Sequence, residues 1–161
     1  MNCADEKWDN RYLDLAQHIG EKWSKDPSRK VGAVIVGDHG QILSQGYNGF
    51  PRKLHDDEDR LNDRETKYKY VVHAEMNCIY NAALNGNSLV GSTLYVYGLP
   101  ICHECAKGVI QVGISRVVQP IYSLDNLMQD KWKSSRELAL DMFHEAGIVL
   151  DEIAFNRYSA S

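Results

Sequence analysis

Apolar positions along the chain change period several times, and each change marks an element. Between residues 8 and 23, Leu13, Leu15, Ala16, Ile19 and Trp23 recur near helical spacing, which predicts a first helix stopped by Asp26-Pro27-Ser28. The run Val31-Gly32-Ala33-Val34-Ile35-Val36 is short, apolar and rich in β-branched residues. With a turn at Gly37-Asp38-His39-Gly40 and a second arm over 41–47, it predicts a hairpin. Residues 48–72 show no clear period and carry many charges, so a long loop is expected, of a kind that in compact domains usually serves function. Periodicity then resumes with a helix over 73–85, a strand over 93–97, and a short helix over 102–112 with Gly113 as its C-cap. A strand over 114–119 follows, then a connection over 120–131. A helix over 134–146, with Leu138, Ala139, Met142 and Phe143 on one face, and a short strand over 148–150 complete the chain. This order predicts one sheet with helices on both faces, a three-layer α/β/α domain spanning 1–161 with its core over about 8–150.

Composition narrows the class. The chain has 161 residues, 43% hydrophobic and 25% charged, the balance of a soluble globular domain. No apolar stretch approaches the roughly 20 residues that a membrane helix needs. The first ten residues lack the apolar core of a signal peptide, so a cytoplasmic location is expected. A net charge of −4 argues against a polynucleotide as the main partner, because phosphate backbones attract basic surfaces. A single nucleotide needs only one or two local cations and stays open. Of the four cysteines, two form a Cys-x-x-Cys pair, which in a signal-free chain favours metal or redox chemistry over disulfides.

The candidate chemistry lies in two clusters, His73-Ala74-Glu75 and Cys102-His103-Glu104-Cys105, each at a helix start. Cysteines at i and i+3 point the same way and can grip one metal ion. With His73 as a third ligand, the fourth position is left to water, the arrangement of a catalytic rather than a structural zinc. Zinc lowers the pKa of such a water towards ~7. Glu75, two residues beyond the histidine, can shuttle protons between that water and a substrate nitrogen. Helix N-termini at both clusters favour thiolates and developing negative charge. The two clusters resemble the signature of zinc-dependent deaminases, histidine-x-glutamate followed by Pro-Cys-x-x-Cys.

With those motifs, the segments Ser24-Lys25-Asp26-Pro27, Lys30-Val31-Gly32-Ala33, Gly46-Tyr47-Asn48-Gly49-Phe50-Pro51, Lys67-Tyr68-Lys69-Tyr70 and Ile110-Gln111-Val112-Gly113-Ile114 make the chain resemble the deoxycytidylate branch of the cytidine deaminase-like superfamily. The likeness runs from about Trp8 to Val149. It departs at the first cysteine, where Ile101 separates Pro100 from Cys102 although the family has proline directly before it. The resemblance implies a central mixed sheet of about five strands and hydrolysis of dCMP to dUMP and ammonia, a step that feeds thymidylate synthesis. It implies zinc on His73, Cys102 and Cys105, and Glu75 as proton shuttle. It implies that the Ala74 N–H meets the base carbonyl, that Asn48 holds the sugar, and that Ser24 approaches the 5′-phosphate, with Arg29 or Lys30 as alternatives. It further implies a homohexamer activated by dCTP with Mg2+ and inhibited by dTTP, with Gly46, Tyr47, Asn48 and Gly49 contributing to the effector site.

Other readings compete. A deaminase acting on a base within RNA or DNA would share all four zinc-site residues, and a non-catalytic zinc-stabilised nucleotide sensor would share the ligands. A redox dithiol at Cys102 and Cys105 explains neither His73 nor Glu75. His103 and Glu104 read as solvated spacers, and Cys78 as a small buried hydrophobe. Trp132 reads as packing, and Asn48 also suits a turn.

Overall fold

The computed structural model describes residues 3–122 and 130–155. Helix α1 (Cys3–Trp23) leads into the hairpin β1 (Gly32–Val36) and β2 (Ile42–Tyr47). Two short helices follow, α2 (Glu58–Asn62) and α3 (Arg64–Tyr70), then α4 (Ala74–Asn85) and β3 (Thr93–Tyr97). Helix α5 (His103–Gln111), β4 (Arg116–Pro120), a final helix α6 (Asp130–Ala146) and β5 (Val149–Ile153) close the order.

The five strands form one mixed sheet in the order β2-β1-β3-β4-β5. Strand β1 is antiparallel to both β2 and β3, whereas β3, β4 and β5 run parallel. The parallel connections carry α5 and α6, as parallel pairing requires long crossovers. Strand β1 lies inside the sheet and is buried at every position, which is why its sequence is a continuous apolar run. Its side chains divide by parity. Val34 and Val36 join Leu13, Ala16 and Ile19 of α1 on one face. Ala33 and Ile35 join the core under α4, α5 and α6 on the other, which includes Cys78, Val109, Ala139 and Phe143. The expected three-layer α/β/α arrangement is the one observed.

Close packing is secured by absent side chains. A Cβ at Gly32 would stand 1.9 Å from the Ala16 carbonyl oxygen, so only glycine lets β1 press against α1. A Cβ at Gly46 would meet the Cys78 nitrogen at 2.5 Å and the Ala74 oxygen at 2.7 Å, so β2 lies directly against the first turn of α4.

Several expected boundaries move. Helix α1 begins at Cys3 rather than near Trp8, and α6 at Asp130 rather than at Ser134. The strand expected over 114–119 starts at Arg116. Part of the connection expected over 120–131 lies outside the described residues. The expected long loop is the largest revision. It holds α2, N-capped by Asp57, and α3, N-capped by Asp63, and it is pinned by a bridge between Gly49 and Val72. Its helices lack an apolar face because α2 buries nothing and α3 buries only Lys67. Strand β5 runs to Ile153, beyond the expected Leu150, because Asp151 pairs with Arg116 and Glu152 with Arg136.

Candidate active site

His73 is the N-cap of α4 and Cys102 the N-cap of α5, each with extended backbone. The imidazole makes no capping bond, so it is free to face the cysteines. Its Nδ1 lies 3.4 Å from the Cys102 Sγ and 3.4 Å from the Cys105 Sγ. Tetrahedral zinc, with bonds of about 2.3 Å to sulfur and about 2.0 Å to nitrogen, needs S···N edges of about 3.5 Å. The cluster fits that ion, and its three donor atoms all lie within 4.8 Å of one another. No other cluster of this kind occurs among the described residues.

Charge in the cluster also asks for a cation. The hydrogen bond from Cys105 and the facing His73 hold the Cys102 thiol down at about 4. The same contact with Cys102 lifts His73 to about 9. Cys105 is driven strongly upward, because ionising it would set a second thiolate beside the first and beside Glu75. A dication removes that conflict and lets both sulfurs ionise.

Glu75 sits in the first turn of α4, only 3% exposed. Its Oε2 accepts a hydrogen bond from the Cys105 thiol at 3.8 Å. Burial raises its carboxyl above the ordinary carboxylate value, against the pull of His73. A buried carboxyl beside the metal ligands is placed to take and return protons, and its raised value makes it a stronger proton acceptor than an ordinary carboxylate. His73, Ala74, Glu75 and Cys102 line a cavity of about 710 Å³ whose other walls include Arg29, Asn48, Arg64 and Trp132. Ala74 is the first helical residue of α4, so its N–H has no partner within the helix.

A family model described as the cytidine and deoxycytidylate deaminase zinc-binding region matches residues 6–120. The chain belongs to that family. A protein of Aliivibrio fischeri named as an uncharacterized deaminase is 40% identical to this deaminase over 142 residues, covering 88% of the chain and 90% of the relative. Human deoxycytidylate deaminase is 37% identical over 149 residues, covering 88% and 77%. The dCMP deaminase of cyanophage S-TIM5, solved with dCMP and dUMP, superposes with a TM-score of 0.68 over 95% of this chain and 99% of that one. At 24% identity that likeness establishes the shared fold.

In this deaminase the remaining expected site residues fall in different places. Asn48 lines the cavity, and its amide also knits the wall together. Its Oδ1 accepts from the Val31 N–H at 2.9 Å, and its Nδ2 donates to the Arg29 carbonyl at 2.8 Å. Ser24 does not line the cavity; its hydroxyl is buried, donating to the Asn48 carbonyl at 3.1 Å. The Lys30 ammonium donates to the Ser24 carbonyl, whereas Arg29 does line the cavity. Gly46 packs on α4, while Tyr47, Asn48 and Gly49 border a separate cleft of about 70 Å³ that also touches Lys25 and Asp56.

Other outcomes concern residues that carried no expected role in the site. Arg64, Lys67 and Tyr68 of α3 all line the cavity, and Trp132 of α6 joins them, so it does more than pack. The Arg64 Nε donates to the Tyr68 hydroxyl at 3.1 Å. His103 is more than a solvated spacer, because its Nδ1 lies 2.7 Å from the Ser135 Oγ and so ties α5 to α6. Glu104 stays at the surface, paired with Lys107. Cys78 is fully buried, and burial pushes its thiol up to about 12, as befits an inert core residue. The Ile101 that separates Pro100 from Cys102 is buried, with its N–H donating to the Gln119 side chain at 3.1 Å, so the departure is absorbed by the core.

Proposed function

We propose that this deaminase hydrolyses the exocyclic amine of dCMP, giving dUMP and ammonia. The observation that carries the reading is a buried Glu75 beside the His73, Cys102 and Cys105 donors, in a cavity also lined by the guanidinium groups of Arg29 and Arg64. His73, Cys102 and Cys105 would hold zinc. When bound, zinc supplies an acidified water as nucleophile at neutral pH. Glu75 then takes a proton from the nucleophile, passes it to the ring nitrogen N3, and delivers the next to the departing amine. The Ala74 N–H holds the base carbonyl, fixing which ring edge faces Glu75. The remaining Nδ2 hydrogen of Asn48 serves the sugar hydroxyl.

Among the described residues no carboxylate pairs with Arg29 or Arg64, although both line the cavity. Two unpaired cations there suit a dianionic 5′-phosphate, and they supply what Ser24, with its hydroxyl occupied, does not. The test follows ultraviolet loss of the cytosine chromophore with zinc-loaded protein and dCMP, CMP, deoxycytidine or a cytosine-containing single strand. The expected order places dCMP first. Preferential turnover of the single strand would replace this reading with a polynucleotide deaminase.

Regulation by dCTP with Mg2+ and by dTTP, a hexameric assembly, a cytoplasmic location and a place in thymidylate supply complete the proposal. The effector reading is supported by the small cleft at Tyr47, Asn48 and Gly49, which shares Asp26, Asn48 and Lys67 with the main cavity. At about 70 Å³ it is too small for a nucleoside triphosphate, so effector binding there would require the cleft to widen. Saturation curves for dCMP that ignore both triphosphates would remove the regulatory part. Light scattering reports the assembly.

A further inference from the structure

One buried ion pair reaches into the cavity wall from an unexpected direction. Lys67, on α3, is 7% exposed, and its Nζ donates to the Asp26 Oδ1 at 3.0 Å and to the Ser28 Oγ at 2.6 Å. The two partners stand 41 residues apart in sequence, so this contact joins the charged segment before α4 to the turn before β1. The same Asp26 oxygen also accepts the backbone N–H groups of Ser28 at 2.9 Å and of Arg29 at 3.2 Å. The turn is closed from its far side by Asn48, whose amide grips the Arg29 carbonyl and the Val31 N–H. Asp26, Ser28, Arg29, Asn48 and Lys67 all line the cavity.

We infer that Lys67 is a positioning residue for the substrate's 5′-phosphate, acting through Asp26 to fix the turn that presents Arg29 to the cavity. The inference rests on the dCMP reading. A lysine already committed to a carboxylate and a hydroxyl is poorly placed to serve as the main phosphate cation, and burying it costs desolvation that a surface lysine avoids. What the pair provides is geometry. An arginine held on a fixed turn loses less conformational freedom when it binds an anion than one on a loose loop. The wall is thus set by α3, and the charged segment that carries α3 selects substrate without touching the reacting atoms.

Replacing Lys67 alone would strand a buried Asp26 charge, so the test removes both charges together. The double variant Asp26→Asn/Lys67→Met keeps an acceptor for the turn's backbone and loses the strut. The expected result is a KM for dCMP raised about tenfold with kcat within about twofold, the signature of lost binding common to ground and transition states. The kcat/KM for deoxycytidine, which has no phosphate, should fall at least about fivefold less than that for dCMP, since phosphate binding energy alone is affected. Zinc content should stay at the wild-type level. A KM for dCMP within twofold of wild type would overturn the inference. So would equal losses for dCMP and deoxycytidine, which mark a purely structural pair. Wild-type protein inactive on dCMP would instead sink the substrate reading. Amide exchange at Ser28 and Arg29 then judges the strut alone: faster exchange in the double variant upholds it, and unchanged exchange overturns it.

Discussion

Glu75 combines a costly burial with a useful one. Its depth raises the carboxyl above the ordinary value of 4.5, so the proton-accepting form is lost as pH falls through the raised value. The acid limb of kcat/KM for dCMP should therefore begin above pH 4.5 rather than below it. A profile that stays flat down to the ordinary carboxylate range would contradict this. Glu75→Gln should lower kcat by about 10²–10⁴-fold while zinc, measured by metal analysis, stays bound. Asp26 shows the opposite behaviour. Burial works to raise it, but the bonds from Ser28, Lys67 and Arg29 outweigh burial and hold it low. Its contribution to stability is therefore full above its unfolded value of 3.8 and lost as pH falls through the lower folded one. Asp26→Asn should flatten that part of the acid-denaturation curve. At this scale the metal cluster and Glu75 were legible, because two short fixed spacings put one pair of these groups at the start of α4 and the other at the start of α5. Lys67 and Arg64 were not, since charges in an aperiodic stretch ordinarily face solvent, and only the fold brings Asp26 to Lys67.

Elements whose buried faces are apolar were readable from periodicity, as α1, β1, β3 and α4 illustrate. Those shaped by charged pairs were read in part or not at all. Helix α3 hides a lysine instead of a leucine, and β5, expected to end at Leu150, continues through Asp151 and Glu152, which pair with Arg116 and Arg136. Gly46 offers a direct test of how elements set the site. Gly46→Ala would force the first turn of α4 away from β2, since the added carbon would stand 2.5 Å from the Cys78 nitrogen and 2.7 Å from the Ala74 oxygen, backbone atoms of α4 that cannot swing aside. That turn carries Ala74 and Glu75 and follows His73. The variant should therefore lose kcat/KM by at least about tenfold, because a misplacement of ~1 Å in a catalytic group is costly. Activity unchanged at a lowered Tm would show that α4 moves as a rigid body with its cavity.

Across the whole molecule, one polar network links the helix on one face to three strands. Arg116 forks onto Asp9 at 2.9 and 2.7 Å and reaches Asp151 at 2.7 Å, while the Tyr95 hydroxyl donates to Asp9 at 2.7 Å. The Asp9 side chain is only 2% exposed. Arg116→Met would leave that carboxylate without its cation and should cost about 3–5 kcal/mol in urea unfolding, with zinc content unchanged. The metal centre has a similar reach of its own. Its histidine and its first cysteine are 29 residues apart, with α4 and β3 between them. An ion held at both ends is a staple across that span. By the loop-closure relation for cross-links, a closed loop of about 30 residues disfavours the unfolded chain by roughly 3–4 kcal/mol. Chelation should then lower the unfolding midpoint as well as abolish turnover, and zinc-poor growth would reduce the amount of folded protein before it changed the turnover number of what remained.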